Sequence, residues 1–136
     1  MSSQFSIPVR VYYEDTDAGG VVYYANYLRF FERARTEWLY NLGLDQKALM
    51  ERERMVFVVV SANVRYVKPA RFADELYISA EISNHSRTTA TFNQLVLRDD
   101  PEGELLCEGK IRVACINAVT FRPRPLPDLI VTECEH

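Results

Sequence analysis

Histidine and cysteine are scarce in this sequence, and both shortages exclude kinds of site. The two histidines, His85 and His136, are 51 positions apart, so the HExxH spacing of a zinc hydrolase is absent. Neither has a recognisable partner, and no G-x-S-x-G motif marks a serine hydrolase. The three cysteines form no CxxC pair, which argues against a disulfide framework and favours a reduced cytoplasm. We predict a cytoplasmic protein without metal or organic cofactor.

Excess basic charge and long apolar runs are also missing. The net charge of −3 gives no basic surface for nucleic acid or anionic lipid, so neither partner is expected. No run of about 20 apolar residues and no basic leader followed by an apolar segment occurs, which predicts neither a membrane span nor a signal peptide. With 136 residues and 48% hydrophobic content, we expect one domain over residues 1–136.

The hydrophobic periodicity changes twice along the chain. Residues 7–14 alternate as a half-buried strand does. From Tyr27 the spacing of Phe30, Ala34 and Trp38 becomes helical. Gly43 is a helix stop, and Asp45 is a candidate cap for a short second helix.

Beyond residue 55 the pattern is that of strands. We predict strands over residues 56–66, 76–83, 90–96 and 105–115, with a tight turn at residues 100–103. One amphipathic helix and several antiparallel strands predict an α+β fold in which the sheet curls around the helix.

Carboxylates, glycines and a helix start lie close together in residues 14–27. A helix start offers unpaired backbone N–H groups, and glycine allows a substrate to approach the backbone closely. Asp17 lies at the edge of this segment. Judged locally, the segment is equally well read as a simple Asp-Gly turn. An EF-hand calcium loop is excluded, because the twelfth position of the pattern is Asn26 and not the acidic residue that such a loop requires.

The pattern Asp15-x-Asp17-x-x-Gly20-x-Val22 followed by Asn26-Tyr27 resembles the 4-hydroxybenzoyl-CoA thioesterase family of hot-dog folds. Residues 32–37, on the predicted helix, belong to the same family pattern. Later segments resemble the Tol-Pal-associated acyl-CoA thioesterase branch of this family, and they extend the likeness over nearly the whole chain: residues 57–59, 66–70 and 122–127.

This resemblance implies a hot-dog fold, in which a long central helix is wrapped by a curved antiparallel sheet, and acyl-CoA hydrolysis by a homo-oligomer, either dimer or tetramer. It implies Asp17 as nucleophile or general base and a backbone N–H near Tyr24 as the donor to the oxyanion, with Gly20 and Tyr27 beside the substrate. A tyrosine at position 24 is a poor base at neutral pH, and the branch commonly has histidine there, so only the backbone role is carried over. For Asp15 we expect structural hydrogen bonding. An acyl carrier protein is an alternative carrier of the acyl group.

Coenzyme A carries phosphates, so a cation is expected near the site entrance. Arg87 is the first candidate because it lies in a turn where the resembled enzyme has a basic run. Lys68 and Arg71 are second candidates, and for each a solvated surface charge is the competing interpretation.

Two other functions compete with hydrolysis. One is a non-catalytic acyl-binding or scaffolding module linked to the cell envelope, which would not need an acid beside a helix start. The other is a hot-dog dehydratase, which normally pairs a histidine with its carboxylate, and the motif contains no histidine.

Overall fold

Within residues 4–135, which the computed structural model describes, the chain forms six β-strands and three α-helices. A short 3₁₀ turn, Tyr13–Asp15, separates the first strand from the first helix. The elements, in chain order, are β1 (Ser6–Arg10), α1 (Asn26–Asn41), α2 (Gln46–Glu53), β2 (Met55–Tyr66), β3 (Glu75–Ser79), β4 (Glu81–His85), β5 (Thr89–Arg98), β6 (Glu104–Asn117) and α3 (Asp128–Cys134).

All six strands join one antiparallel sheet in the order β1-β3-β5-β6-β2, with β4 also pairing with β5. The long β2 strand runs along β6 from Met55 opposite Asn117 to Tyr66 opposite Cys107. It therefore forms one edge of the sheet. Among residues 4–135, no helix combines the length and apolar character that a bilayer crossing requires.

Helix α1 packs on the middle of this sheet. Phe30, Phe31 and Ala34 are at most 1% exposed and belong to the main hydrophobic core. A Cβ atom on Gly109 of β6 would lie 2.7 Å from the Phe31 ring, so glycine is required where the helix meets the strand. The buried Gln94 of β5 donates from Nε2 to the Phe31 carbonyl at 2.9 Å. The predicted α+β class and the hot-dog arrangement are confirmed.

The predicted helix ends and turns are also present. Helix α1 ends at Asn41, and Gly43 follows with φ +92°. Asp45 accepts hydrogen bonds from the backbone N–H groups of Lys47 and Ala48, as an N-cap does. Gly103 closes the predicted turn by donating to the Asp100 carbonyl at 2.8 Å.

Two strand predictions were wrong. The strand predicted over residues 7–14 ends at Arg10, because the Asp15 carboxylate accepts from the Tyr12 N–H at 2.8 Å and turns the chain. The strand predicted over 76–83 is divided at Ala80, because pairing with β5 is interrupted there: the Leu95 N–H donates to the Ser79 hydroxyl at 2.9 Å, and the Ser79 carbonyl accepts from the Gln94 side chain at 3.2 Å. Helix α3, which follows a proline-rich segment, was not predicted.

Candidate active site

The segment after the 3₁₀ turn folds back on itself. Thr16 pairs with Val22 in an antiparallel bridge, and the Asp17 N–H donates to the Val21 carbonyl at 2.9 Å. Gly20 adopts φ +78° at the tip, a conformation that favours glycine. The loop thus returns the chain to Tyr23, immediately before α1.

The Asp17 side chain is exposed and only partly engaged. Its Oδ1 accepts from the Gly19 N–H at 2.8 Å, and a Cβ atom at Gly19 would lie 3.2 Å from the same oxygen. Within residues 4–135, its Oδ2 has no hydrogen-bond donor. One carboxylate oxygen is therefore held in place while the other is available for chemistry.

Asp15 has the opposite situation, since it is 7% exposed and both its oxygens are engaged. Oδ2 accepts from the Tyr12 N–H at 2.8 Å, and Oδ1 accepts from the Asn26 side-chain amide at 2.9 Å. Its backbone carbonyl accepts from the Tyr23 N–H at 2.9 Å. Asp15 thus fastens the loop to the first residue of α1, the structural hydrogen bonding expected of it.

The turn before α1 carries unpaired donors. The helix begins at Asn26, so Tyr24 lies in the preceding turn and not in the helix itself. Among the residues described, neither the Tyr24 N–H nor the Ala25 N–H has an acceptor, whereas the Asn26 N–H donates to the Tyr23 carbonyl at 2.8 Å. The Tyr24 side chain is 62% exposed. These two free amides are the candidate oxyanion donors, close to the predicted position.

A cleft of about 250 Å³ lies beside this turn, and it brings together three of the predicted residues, Tyr24, Tyr27 and Lys68. The Tyr27 hydroxyl accepts from the Ala70 N–H at 3.0 Å, and the Ala70 carbonyl accepts from the Val22 N–H at 2.8 Å. Helix, cleft wall and loop are thereby linked. The remaining lining residues are Val22, Tyr66, Val67 and Pro69.

The three candidate cations lie in different surroundings. Lys68 forms an ion pair with Glu104 at 2.7 Å, and this hydrogen bond lowers the pKa of the Glu104 carboxyl. Arg71 is bridged through its backbone to Val21 in the Asp17 loop, and no carboxylate within residues 4–135 is within ion-pair distance of its guanidinium.

Arg87 is not near the cleft within one chain. Residues paired across neighbouring strands form rows over the sheet. The Arg87 turn precedes Thr89, whose row contains Ala114 and Val58. Tyr66, at the cleft, lies in a different row, with Cys107 and Val96. Seven residues of β5 separate the two rows, a distance of roughly 23 Å.

Other chemistries receive no support from this region. Burial raises the pKa of the Cys107 thiol to about 12, which keeps it protonated and unreactive. Over the described residues, no group of three or more histidine, cysteine or acidic side chains is placed to hold a metal ion.

Comparison with known proteins identifies the class. The chain belongs to the thioesterase-like superfamily, which it matches over residues 11–132. It is a thioester hydrolase with the hot-dog fold, and the family expected from the sequence is confirmed.

Individual relatives agree. The acyl-CoA thioester hydrolase YbgC of Escherichia coli O6:H1 is 48% identical over 129 residues, covering 95% of this chain and 94% of that protein. The acyl-CoA thioesterase YbgC of Haemophilus influenzae is 40% identical over 136 residues, covering 100% and 98%. A probable thioesterase from Bartonella henselae, 36% identical, superposes with a TM-score of 0.83 over 90% of this chain and 98% of that one.

Sequence reasoning gave no role to three residues of this region. Asn26 was part of the motif, but its contact with Asp15 depends on how the loop folds. Gly19 could have been recognised, because an aspartate two residues before a glycine is typical of an Asx turn. Tyr66 is 42 positions from Tyr24, whose carbonyl it contacts, and no local pattern indicates that pairing.

Proposed function

We propose that this protein hydrolyses acyl-CoA thioesters, with Asp17 as the reacting carboxylate and the turn before α1 as the oxyanion site. The observation that carries the proposal is the combination of an exposed aspartate with one free oxygen and two backbone N–H groups without acceptors at a helix start. The acyl-CoA substrates named for the two YbgC relatives support it.

The chemistry follows from this arrangement. The free Asp17 oxygen either attacks the thioester carbon or accepts a proton from an attacking water molecule. In both routes negative charge develops on the carbonyl oxygen, where the Tyr24 or Ala25 N–H and the positive end of the α1 dipole stabilise it. If Asp17 attacks, the tetrahedral species expels the CoA thiolate and leaves an anhydride with Asp17, which water hydrolyses to the free acid and the aspartate while a proton of that water goes to the thiolate. If Asp17 acts as the base, the oxygen of the water molecule bonds to the carbonyl carbon, the carbon–sulfur bond breaks, and the proton taken by Asp17 passes to the departing thiolate. Gly20 leaves room for the thioester, and Tyr27 forms the cleft wall.

A second cavity, of about 130 Å³, lies between α1 and the sheet and suits the acyl group. Its wall includes Glu32 of α1, six residues after Asn26, where the helix begins. The cavity therefore lies roughly 9 Å along the helix from the turn that carries the free amides. Most of its walls are apolar, formed by Leu39, Phe57, Phe92, Val113, Leu126 and Ile130.

We further infer a homodimer, alone or within a tetramer, that forms through β2. This edge strand has no charged residue between Met55 and Val64, and Val59 and Val60 are 53% and 52% exposed. An exposed, uncharged edge is a template for pairing with another strand. The β2 strand of a second copy pairs with this edge in antiparallel orientation, and the two chains are then related by a twofold axis.

Such a dimer explains how Arg87 reaches the site although it lies far from the cleft of its own chain. Antiparallel pairing reverses one sheet relative to the other, so the Met55 end of one β2 lies at the Tyr66 end of its partner. Arg87 of the partner subunit then approaches the cleft from the far side. We infer a CoA site with Arg71 from one chain and Arg87 from the other, while Glu104 neutralises Lys68. We also propose that residues 1–136 form a single domain and that the protein is cytoplasmic.

Phosphate recognition by these cations is testable. We expect Arg71→Ala and Arg87→Ala each to raise KM for acyl-CoA about fivefold, the effect of losing an exposed charge contact of about 1 kcal/mol. Lys68→Ala should change KM less, because Lys68 already pairs with Glu104. Steady-state kinetics with acyl-CoA and with the phosphate-free acyl-pantetheine thioester provide the measurement.

Turnover of the pantetheine substrate should respond to none of these changes. Lys110→Ala, at an exposed position between two buried residues of β6, serves as the matched cation control. Equal impairment on both substrates would assign the arginine to folding or assembly, and no effect on either would leave it as a solvated charge.

The activity itself is tested with a panel of thioesters from acetyl-CoA to long-chain acyl-CoA, including benzoyl and hydroxybenzoyl members. We expect the protein to hydrolyse at least one class of these thioesters, with the rate measured from the release of the CoA thiol. Addition of EDTA should not change that rate. Inactivity across the panel and on acyl carrier protein thioesters would contradict the proposal and favour a binding or scaffolding role.

A further inference from the structure

The phenol of Tyr66, on the edge strand β2, lies against the turn that carries the two free amides. Its hydroxyl donates to the Tyr24 carbonyl at 3.1 Å. Its ring meets the Tyr24 ring edge-on at 6.3 Å and the Tyr27 ring at 5.4 Å. Tyr66 therefore contacts both the backbone and the side chain of the residue that begins the oxyanion site.

We propose that Tyr66 is a positioning residue for thioester hydrolysis, whose hydroxyl fixes the Tyr24–Ala25 peptide so that the free Ala25 N–H faces the thioester oxygen. This inference rests on the proposed function, since it presupposes that this amide binds the developing oxyanion.

The geometry of the peptide group gives the reason. In a planar trans peptide the Tyr24 carbonyl and the Ala25 N–H point in opposite directions, so holding one sets the direction of the other. On either side the chain is already fixed: the Tyr23 N–H donates to the Asp15 carbonyl at 2.9 Å, and the Asn26 N–H donates to the Tyr23 carbonyl at 2.8 Å. The Tyr24 carbonyl also accepts from the Tyr27 N–H, at 3.4 Å. The 3.1 Å bond from Tyr66 is shorter, and among the described residues it is the side-chain bond to this carbonyl.

The hydroxyl is also a dependable donor. Partial burial, with smaller contributions from Cys107 and Tyr24, raises the pKa of the Tyr66 phenol above its ordinary value. It therefore stays protonated at neutral and mildly alkaline pH and keeps its bond to the carbonyl.

The first test is Tyr66→Phe, which keeps the ring and its packing and removes the hydroxyl. Deleting an oxyanion donor outright lowers kcat by about 10² to 10³; loosening one should lower kcat about tenfold, with KM within about twofold. The control is Tyr77→Phe, which likewise removes a single tyrosine hydrogen bond, to Glu75 at 2.8 Å, and should leave both constants unchanged. An unchanged kcat would overturn the inference. A rise in KM alone would also overturn it and assign Tyr66 to acyl binding.

The second test measures polarisation of the carbonyl without turnover. An acyl-CoA labelled with ¹³C at the thioester carbonyl is bound to Asp17→Asn, and its stretching frequency is recorded by infrared difference spectroscopy. We expect a shift to lower frequency on binding, and a smaller shift in Asp17→Asn/Tyr66→Phe. An equal shift in both proteins would refute the role of Tyr66. Absence of any shift in Asp17→Asn alone would instead refute the oxyanion site of the proposed function, which separates the two failures.

Discussion

Asp17→Asn is expected to lower kcat by at least about a hundredfold while the protein remains folded. Asparagine keeps the Oδ1 acceptor that binds the Gly19 N–H at 2.8 Å, so the loop retains its conformation. What is lost is the charge, and with it the nucleophile or general base. Steady-state kinetics on an acyl-CoA substrate give the rate, and circular dichroism and thermal melting report the fold.

The chain contains a closely matched control for this substitution. Asp100 accepts from the Glu102 N–H at 2.8 Å through its Oδ1, the same bond to the residue two positions on, in a turn between β5 and β6. Asp100→Asn should leave kcat and KM as in the wild type. Wild-type turnover by a folded Asp17→Asn protein would reject Asp17 as the reacting carboxylate.

The sequence was informative about the fold wherever local chemistry decides the structure. The apolar stripe of α1, the Asp45 cap and the turn at residues 100–103 each depend on residues close in sequence, and all three are present. The end of β1 could not be anticipated, because the Asp15 carboxylate competes with strand pairing for the Tyr12 N–H. The division between β3 and β4 likewise depends on residues distant in sequence, since the Leu95 N–H donates to the Ser79 hydroxyl and Gln94 donates to the Ser79 carbonyl.

In the candidate site, too, the sequence predicted what depends on neighbouring residues and missed what depends on distant ones. The positions of Asp17, Gly20 and Tyr24 on one short loop were predictable because a single segment contains them. The resemblance already distinguished Asp17 from Asp15, but the physical basis of that distinction depends on the fold. Only the folded loop engages both oxygens of Asp15 and leaves one oxygen of Asp17 free. The catalytic role of Asp17 stays a prediction, as do the roles of Arg71 and Arg87, which depend on how two chains meet.

Assembly through β2 gives the second large expected effect. Val60 is 52% exposed near the middle of the strand, and it falls between Val59 and Ser61, where the register with β6 shifts. A change there should leave the pairing within one sheet intact. In a twofold dimer, Val60→Lys places two like charges close together on the paired edges, and lysine on an edge strand opposes pairing. We expect a folded monomer with kcat/KM for acyl-CoA reduced about fivefold, the effect of losing the contact from Arg87 of the partner subunit.

Sedimentation or light scattering reports the mass, and the same preparation is assayed with acyl-CoA. Leu129→Lys, on the exposed side of α3 (Leu129 is 48% exposed), adds the same charge away from β2 and should keep both the assembly and the activity. A Val60→Lys protein that remains dimeric would show that β2 is not the interface. A fully active monomer would mean that each chain holds a complete site, which would withdraw Arg87 of the partner subunit from CoA binding and leave Arg71 as the cation beside the Asp17 loop.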